Sequence, residues 1–135
     1  MNRPRTKHSV PFLERMLGEA SWLLSHAQAL ADHGRQEEAA AELARAGTCE
    51  EQMACLLDAA GQRREAAIHR VSAASCHQKI RQFTRAVTLL RAALSGPLLE
   101  DYQNRVEKDL TRCLAQAKKE LGRKVGVVDS PGGLT

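Results

Sequence analysis

Apolar residues recur every three or four positions along most of the chain, a spacing typical of amphipathic helices. In the first such segment, Leu13, Leu17, Ala20, Leu24 and Ala27 follow this spacing. A glycine closes most of these segments, and glycine tolerates the left-handed backbone that often ends a helix. The pattern therefore predicts an all-α chain of five to six helices between Phe12 and about Leu121, with turns near Gly34, Gly47, Gly61, Arg81 and Gly96.

The turns divide the chain into predicted helices. We expect Pro11 to start the first helix, a short second helix at about 36–46, and a third that Thr48 caps, with Glu51 completing a capping box. Further helices are predicted at about 63–79, 83–94 and 98–121. Because the connections are short, successive helices should be antiparallel neighbours, which leaves a closed bundle and an open stack of helix pairs as alternatives.

Composition supports one helical domain, predicted at residues 10–121 of the 135. Alanine and leucine dominate the apolar residues, whereas strands favour β-branched and aromatic residues. Residues 1–9 are predicted to form a basic flexible arm, and residues 122–135 a disordered tail.

The sequence also predicts a cytoplasmic location. No apolar run approaches the roughly 20 residues that a membrane span requires. The basic N-terminal segment lacks the apolar centre of a signal peptide. The four cysteines are then expected to be reduced thiols that behave as small buried apolar residues.

The net charge of +4 hides a strong asymmetry along the chain. Residues 32–58 carry seven acids against Arg35 and Arg45, and residues 62–91 carry seven bases against Glu65 alone. The two stretches either neutralise each other within the fold or leave a basic face for a partner. The candidate partner-binding residues are Arg63, Arg64, Arg70, Arg81, Arg85 and Arg91.

Alanine recurs at fixed distances from the turns at Gly34, Gly61 and Arg81. One lies seven residues before each turn, and two lie five and twelve residues after it: Ala27, Ala39, Ala46, Ala54, Ala66, Ala73, Ala74, Ala86 and Ala93. With Phe83 just after the third turn and Pro97 beyond, the stretch from Ser21 to Pro97 resembles the tetratricopeptide-repeat family. The resemblance implies a short stack of antiparallel helix hairpins, a TPR-like α-solenoid, that binds proteins or peptides.

The spacing of these turns departs from the family. They lie 27 and then 20 residues apart, which leaves room for a single helix between Gly61 and Arg81. That helix should serve two neighbours, with Ala66, Ala73 and Ile80 on one face and Ile68, Val71 and Ser75 on nearly the opposite face. We therefore expect an irregular array in which this helix is shared.

Candidate chemistry is sparse. The chain has no Gly-rich phosphate loop and no Cys-x-x-Cys or His-Glu-x-x-His motif. Glu65, His69, Cys76 and His77 share one predicted helix, but a metal site in a helix bundle normally draws ligands from several facing helices. We therefore predict no catalytic residues, no metal and no cofactor.

The sequence thus favours a non-catalytic adaptor that binds a protein or peptide, with an acidic surface as the expected match for the arginines. A basic nucleic-acid-binding helical protein is the main alternative, although the basic stretch offers only Phe83 for the aromatic stacking that usually holds single strands. A metal or thiol-redox helical bundle is the second, less favoured alternative. Membrane binding is not expected.

Overall fold

A computed structural model describes the backbone of residues 3–134 and the side chains of residues 11–124. The described residues form five helices and no strand, which confirms the all-α prediction. The helices are α1 (Arg3–Asp32), α2 (Gln36–Ala59), α3 (Arg63–Lys79), α4 (Phe83–Leu94) and α5 (Glu100–Leu134). None of the described helices combines the length and the apolar character needed to cross a bilayer.

Both ends of the chain differ from the expected helix bounds. Helix α1 begins upstream of Pro11, where the sequence predicted its start, and Pro11 lies inside it with no N–H to donate. Helix α5 begins at Glu100 and continues past Leu121. The side chains of residues 1–10 and 125–135 lie outside the described part of the chain, so the division into arm, domain and tail stays a prediction.

The turns at Gly34, Gly61 and Arg81 share one geometry and are confirmed. The three residues have φ of 76°, 80° and 64°, in the left-handed region. In each turn the next N–H donates to the carbonyl five residues earlier at 2.8 Å, as in the Schellman motif: Arg35 to Leu30, Gln62 to Leu57 and Gln82 to His77. The same closing geometry therefore ends α1, α2 and α3.

The predicted turn at Gly47 is wrong. Helix α2 runs through this residue, so the two helices expected at about 36–46 and 48–60 are one. Gly47 is buried, and a β-carbon placed there would lie 2.8 Å from Nε2 of His77 and 3.3 Å from the β-carbon of Cys76. This glycine allows α3 to approach α2 closely, and it does not end a helix.

Neighbouring helices pack in chain order, from α1 on α2 through to α4 on α5, which is the arrangement of an open stack. One buried cluster joins Leu23, Ala46 and Cys76 of the first three helices. A second joins Ala73 and Ala74 to residues of α4 and α5. All nine of the regularly spaced alanines are at most 3% exposed, so they lie inside the packed stack.

Helix α3 packs against both α2 and α4, as predicted for the shared helix. Of the three residues predicted for its second face, Val71 is partly buried against the cluster with α4 and α5, whereas the other two are exposed. Ile68 is 39% exposed and Ser75 is exposed. The second buried stripe instead contains Ala67 and Ala74, beside the stripe of Ala66 and Ala73. Adjacent helix residues point about 100° apart, so the two buried stripes lie on adjoining sides of α3 and not on opposite ones.

Candidate functional site

Helix α4 presents a basic, hydroxyl-bearing stripe to solvent. One side of the helix is buried through Phe83, Ala86, Leu90 and other apolar residues. The exposed side carries Thr84, Arg85, Thr88, Arg91 and Ala92 at helical spacing, and α4 contains no acidic residue. No carboxylate lies on α4 itself, and Arg91 makes no ion pair among the described side chains, so Arg91 gives the stripe an uncompensated positive charge.

An open groove of about 570 Å³ lies between this stripe and α5. Its lining includes three basic side chains and one carboxylate, together with two threonines and a partly buried alanine: Arg81, Gln82, Phe83, Thr84, Arg85, Thr88, Ala117, Glu120 and Lys124. The groove is therefore polar at its rim and carries a net positive charge.

Arg81 stands at the end of this groove in an unusual backbone conformation. Its φ of 64° is one that non-glycine residues seldom adopt, and glycine holds the equivalent position in the other two turns. The Arg81 side chain forms an ion pair with Glu120 of α5, and its guanidinium carbon lies 5.4 Å from the centre of the Phe83 ring. Glu120 also lies 3.7 Å from a guanidinium nitrogen of Arg123.

Arg85 connects the groove to a buried network between helices. Its Nη2 lies 2.8 Å from Oε2 of Glu51 on α2, and Nε2 of His77 lies 2.7 Å from the same oxygen. His77 is only 1% exposed, and its Nδ1 lies 3.0 Å from the amide oxygen of Gln82. Burial alone would raise the pKa of Glu51, but the hydrogen bonds and charges of Arg85 and His77 together lower it.

The lowered pKa of Glu51 gives a prediction for acid stability. A carboxyl whose pKa is depressed in the folded state stabilises the fold above its unfolded pKa, near 4.5 here, and loses that contribution as the pH falls through the folded value. Glu51→Gln should therefore weaken the loss of stability on acidification, measured by urea unfolding from about pH 7 to about pH 3. The matched control is Glu65→Gln, an exposed carboxylate without an ion pair among the described residues. Equal acid dependence for wild type and Glu51→Gln would contradict the prediction.

The six predicted partner-binding arginines do not form one surface. Arg81 and Arg85 line the groove described above. Arg63 and Arg70 line a separate cleft of about 220 Å³ between α3 and the end of α4. Arg64 and Arg91 line neither, and Nε of Arg64 donates to the Pro97 carbonyl at 3.3 Å.

The acidic stretch neutralises part of the basic stretch. Arg70 pairs with Asp58 at 2.6 Å and Arg85 with Glu51, so two of the six arginines are neutralised by the acidic stretch. Arg81 pairs with α5 instead. The remaining three make no ion pair among the described side chains, and they are Arg63, Arg64 and Arg91. A role for these residues in binding stays a prediction.

Three histidine–glutamate pairs between helices were missed by the sequence analysis. Helix α2 supplies every carboxylate, and the pairs are His26–Glu42, His69–Glu50 and His77–Glu51. His69 and His77, considered above as possible metal ligands, thus bind glutamates. Among the described side chains, no three His, Cys, Asp or Glu residues lie close enough together to hold a metal ion.

Three of the four cysteines are buried and offer little nucleophilic character. Cys49, Cys76 and Cys113 are buried, while Cys55 is exposed. Burial raises the pKa of all three buried thiols, and for Cys49 the nearby carboxylates of Glu19 and Glu50 add to the effect. The thiolate is the reactive form, so a raised pKa disfavours redox or nucleophilic chemistry at these three positions.

Comparison with known proteins identifies no relative of this chain. The chain matches no protein-family model, no curated protein and no solved structure at a significant level.

Proposed function

We propose that this chain is a non-catalytic adaptor of the tetratricopeptide-like type, which binds an acidic surface of a protein or peptide partner. The observation that carries the proposal is the exposed stripe of α4, where Arg91 is unpaired among the described side chains, two threonines lie beside it, and no acid lies on the same helix. Arg85 belongs to the same stripe but pairs with Glu51 of α2. In an open stack this stripe is not covered by another helix of the described chain. The tetratricopeptide resemblance supports a binding role, because helical repeats present continuous surfaces to partners.

A nucleic acid is the less favoured ligand for the same arginines. Phosphates would supply affinity without sequence specificity. Proteins that hold single strands usually add exposed aromatic rings on which bases stack. Phe83 is 8% exposed and packs in the core, while the exposed ring of Trp22 lies on α1, away from the α4 stripe.

A charge reversal at Arg91 tests the proposal. Arg91 is the best position because Arg81 and Arg85 make internal ion pairs, so replacing either of them would also change a contact within the protein. Charged residues at the edge of an interface mainly accelerate association. Arg91→Glu should therefore slow association several-fold at low salt and weaken its salt dependence, measured by surface plasmon resonance against a partner protein recovered from extract.

The matched control is Lys108→Glu, which changes the net charge equally at an exposed position of α5 outside the groove. If both variants slowed association by the same factor, net charge alone would explain the effect, and the α4 stripe would not be the binding surface. Circular dichroism of both variants checks that the helices are intact.

A further inference from the structure

We propose that the groove between α4 and α5 holds an extended acidic peptide segment, and that Glu120 occupies the place of a ligand carboxylate in the free protein. The inference rests on the proposed function and names both the subsite and the chemistry of its ligand.

Charge in the groove favours a carboxylate ligand. Three basic side chains, Arg81, Arg85 and Lys124, line it together with one acid, Glu120. Arg85 pairs with Glu51 of α2 and Arg81 with Glu120, so Lys124 is the cation of this lining without an ion pair among the described side chains. Glu120 is close to two guanidinium groups, those of Arg81 and Arg123, and its side chain is 32% exposed. A carboxylate of a bound peptide can make the same charge-assisted hydrogen bonds, so Glu120 competes with the ligand.

The backbone of Arg81 is an independent observation. A left-handed conformation is unfavourable for a residue with a β-carbon, and the fold uses glycine for it at Gly34 and Gly61. Backbone strain of this kind persists where the surrounding structure fixes it, and it concentrates at functional sites. In this conformation the Arg81 guanidinium pairs with Glu120 and lies over the ring of Phe83, at the end of the groove.

The walls of the groove suit a peptide backbone. Thr84, Thr88 and Gln82 supply hydroxyl and amide groups, while Phe83 and Ala117 supply an apolar floor. The hydroxyl of Thr88 donates to the Thr84 carbonyl at 3.2 Å, which leaves its oxygen free to accept a peptide N–H. On α5 the lining runs from Ala117 to Lys124, which spans about 10 Å, the length of about three extended residues.

Thr88→Glu tests the groove without disturbing an internal ion pair. The probe is a fluorescent peptide of about eight residues that alternates glutamate and alanine, with its glutamine counterpart as the uncharged control. Thr88→Glu should reduce its affinity at least tenfold in fluorescence anisotropy at low salt. Thr111→Glu is the matched control, because Thr111 is also exposed and bonded to the carbonyl four residues earlier but lies outside the groove. Thr111→Glu should reduce affinity much less.

Two further variants separate a binding role from a structural one. Glu120→Gln should bind the probe several-fold more tightly, because it removes the competing carboxylate. Arg81→Gly should bind it more weakly while melting at an unchanged or higher temperature, because glycine relieves the backbone strain. A purely structural Arg81 would instead lower the melting temperature when replaced, without changing the affinity of the folded protein.

The groove proposal is overturned if the wild type prefers neither peptide at low salt, or if Thr88→Glu and Thr111→Glu bind alike. Either result leaves the effect of Arg91→Glu on the recovered partner as a separate test of the proposed function. If Arg91→Glu slows that partner and Thr88→Glu does not weaken the probe, the α4 stripe binds proteins but the groove is not the acidic subsite.

Discussion

Gly47→Ala should lower the free energy of unfolding by about 1–2 kcal/mol, although alanine is normally the better helix residue by about 0.5–1 kcal/mol. The added β-carbon would lie 2.8 Å from Nε2 and 3.0 Å from Cε1 of His77. The ring cannot move aside easily, since it is 1% exposed and lies between Glu51 and Gln82. The free energy lost by overpacking at such a contact exceeds the free energy gained from the higher helix propensity of alanine.

Gly18→Ala is the control for this effect. Gly18 also lies within a helix, α1, but a β-carbon there would meet no atom within 4 Å. This substitution should raise the free energy of unfolding by about 0.5–1 kcal/mol. Urea unfolding at neutral pH measures both changes. A gain in stability for both variants would show that α2 and α3 do not approach as closely as described.

Ala66→Leu and Ala73→Leu should each lower the free energy of unfolding by about 1–3 kcal/mol. Both alanines are fully buried on α3, the helix that packs against both α2 and α4. Three additional carbons at either position must displace a neighbouring helix, because protein interiors have little free volume. Ala115→Leu, at an exposed position of α5, should change stability by less than about 0.5 kcal/mol. Unchanged denaturation midpoints for both α3 variants would contradict the close packing of the stack.

The sequence could predict the features that depend on local backbone and residue size. Gly34 and Gly61 end helices because only residues that tolerate positive φ fit there. The turn at Arg81 was predicted from its spacing to the alanines, because an arginine, unlike a glycine, does not indicate a positive φ. The alanines themselves reveal where helices meet, since a methyl group allows close approach.

Other features depend on contacts between distant residues, and the sequence could not predict them. A glycine that ends a helix and one that allows close packing look the same locally, so Gly47 was assigned wrongly. The pairs His77–Glu51 and Arg81–Glu120 join residues 26 and 39 positions apart, and they form only in one register of the helices. Glu42, Ala46 and Glu50 recur every four residues, a spacing that places them on one side of a continuous helix. The predicted break at Gly47 hid this pattern, and both glutamates are buried on that side of α2.

The central claim is that the basic surface of α4 binds an acidic protein segment in preference to a nucleic acid. The most direct test compares the affinities of the acidic peptide and of a single-stranded DNA of equal charge, titrated from about 50 mM to about 300 mM salt. Electrostatic binding to DNA should fall steeply with salt, whereas a peptide seated in the groove should keep contacts that salt does not screen. We expect the peptide to bind at least tenfold more tightly than the DNA at about 150 mM salt. Tighter binding of the DNA across the titration would contradict the account.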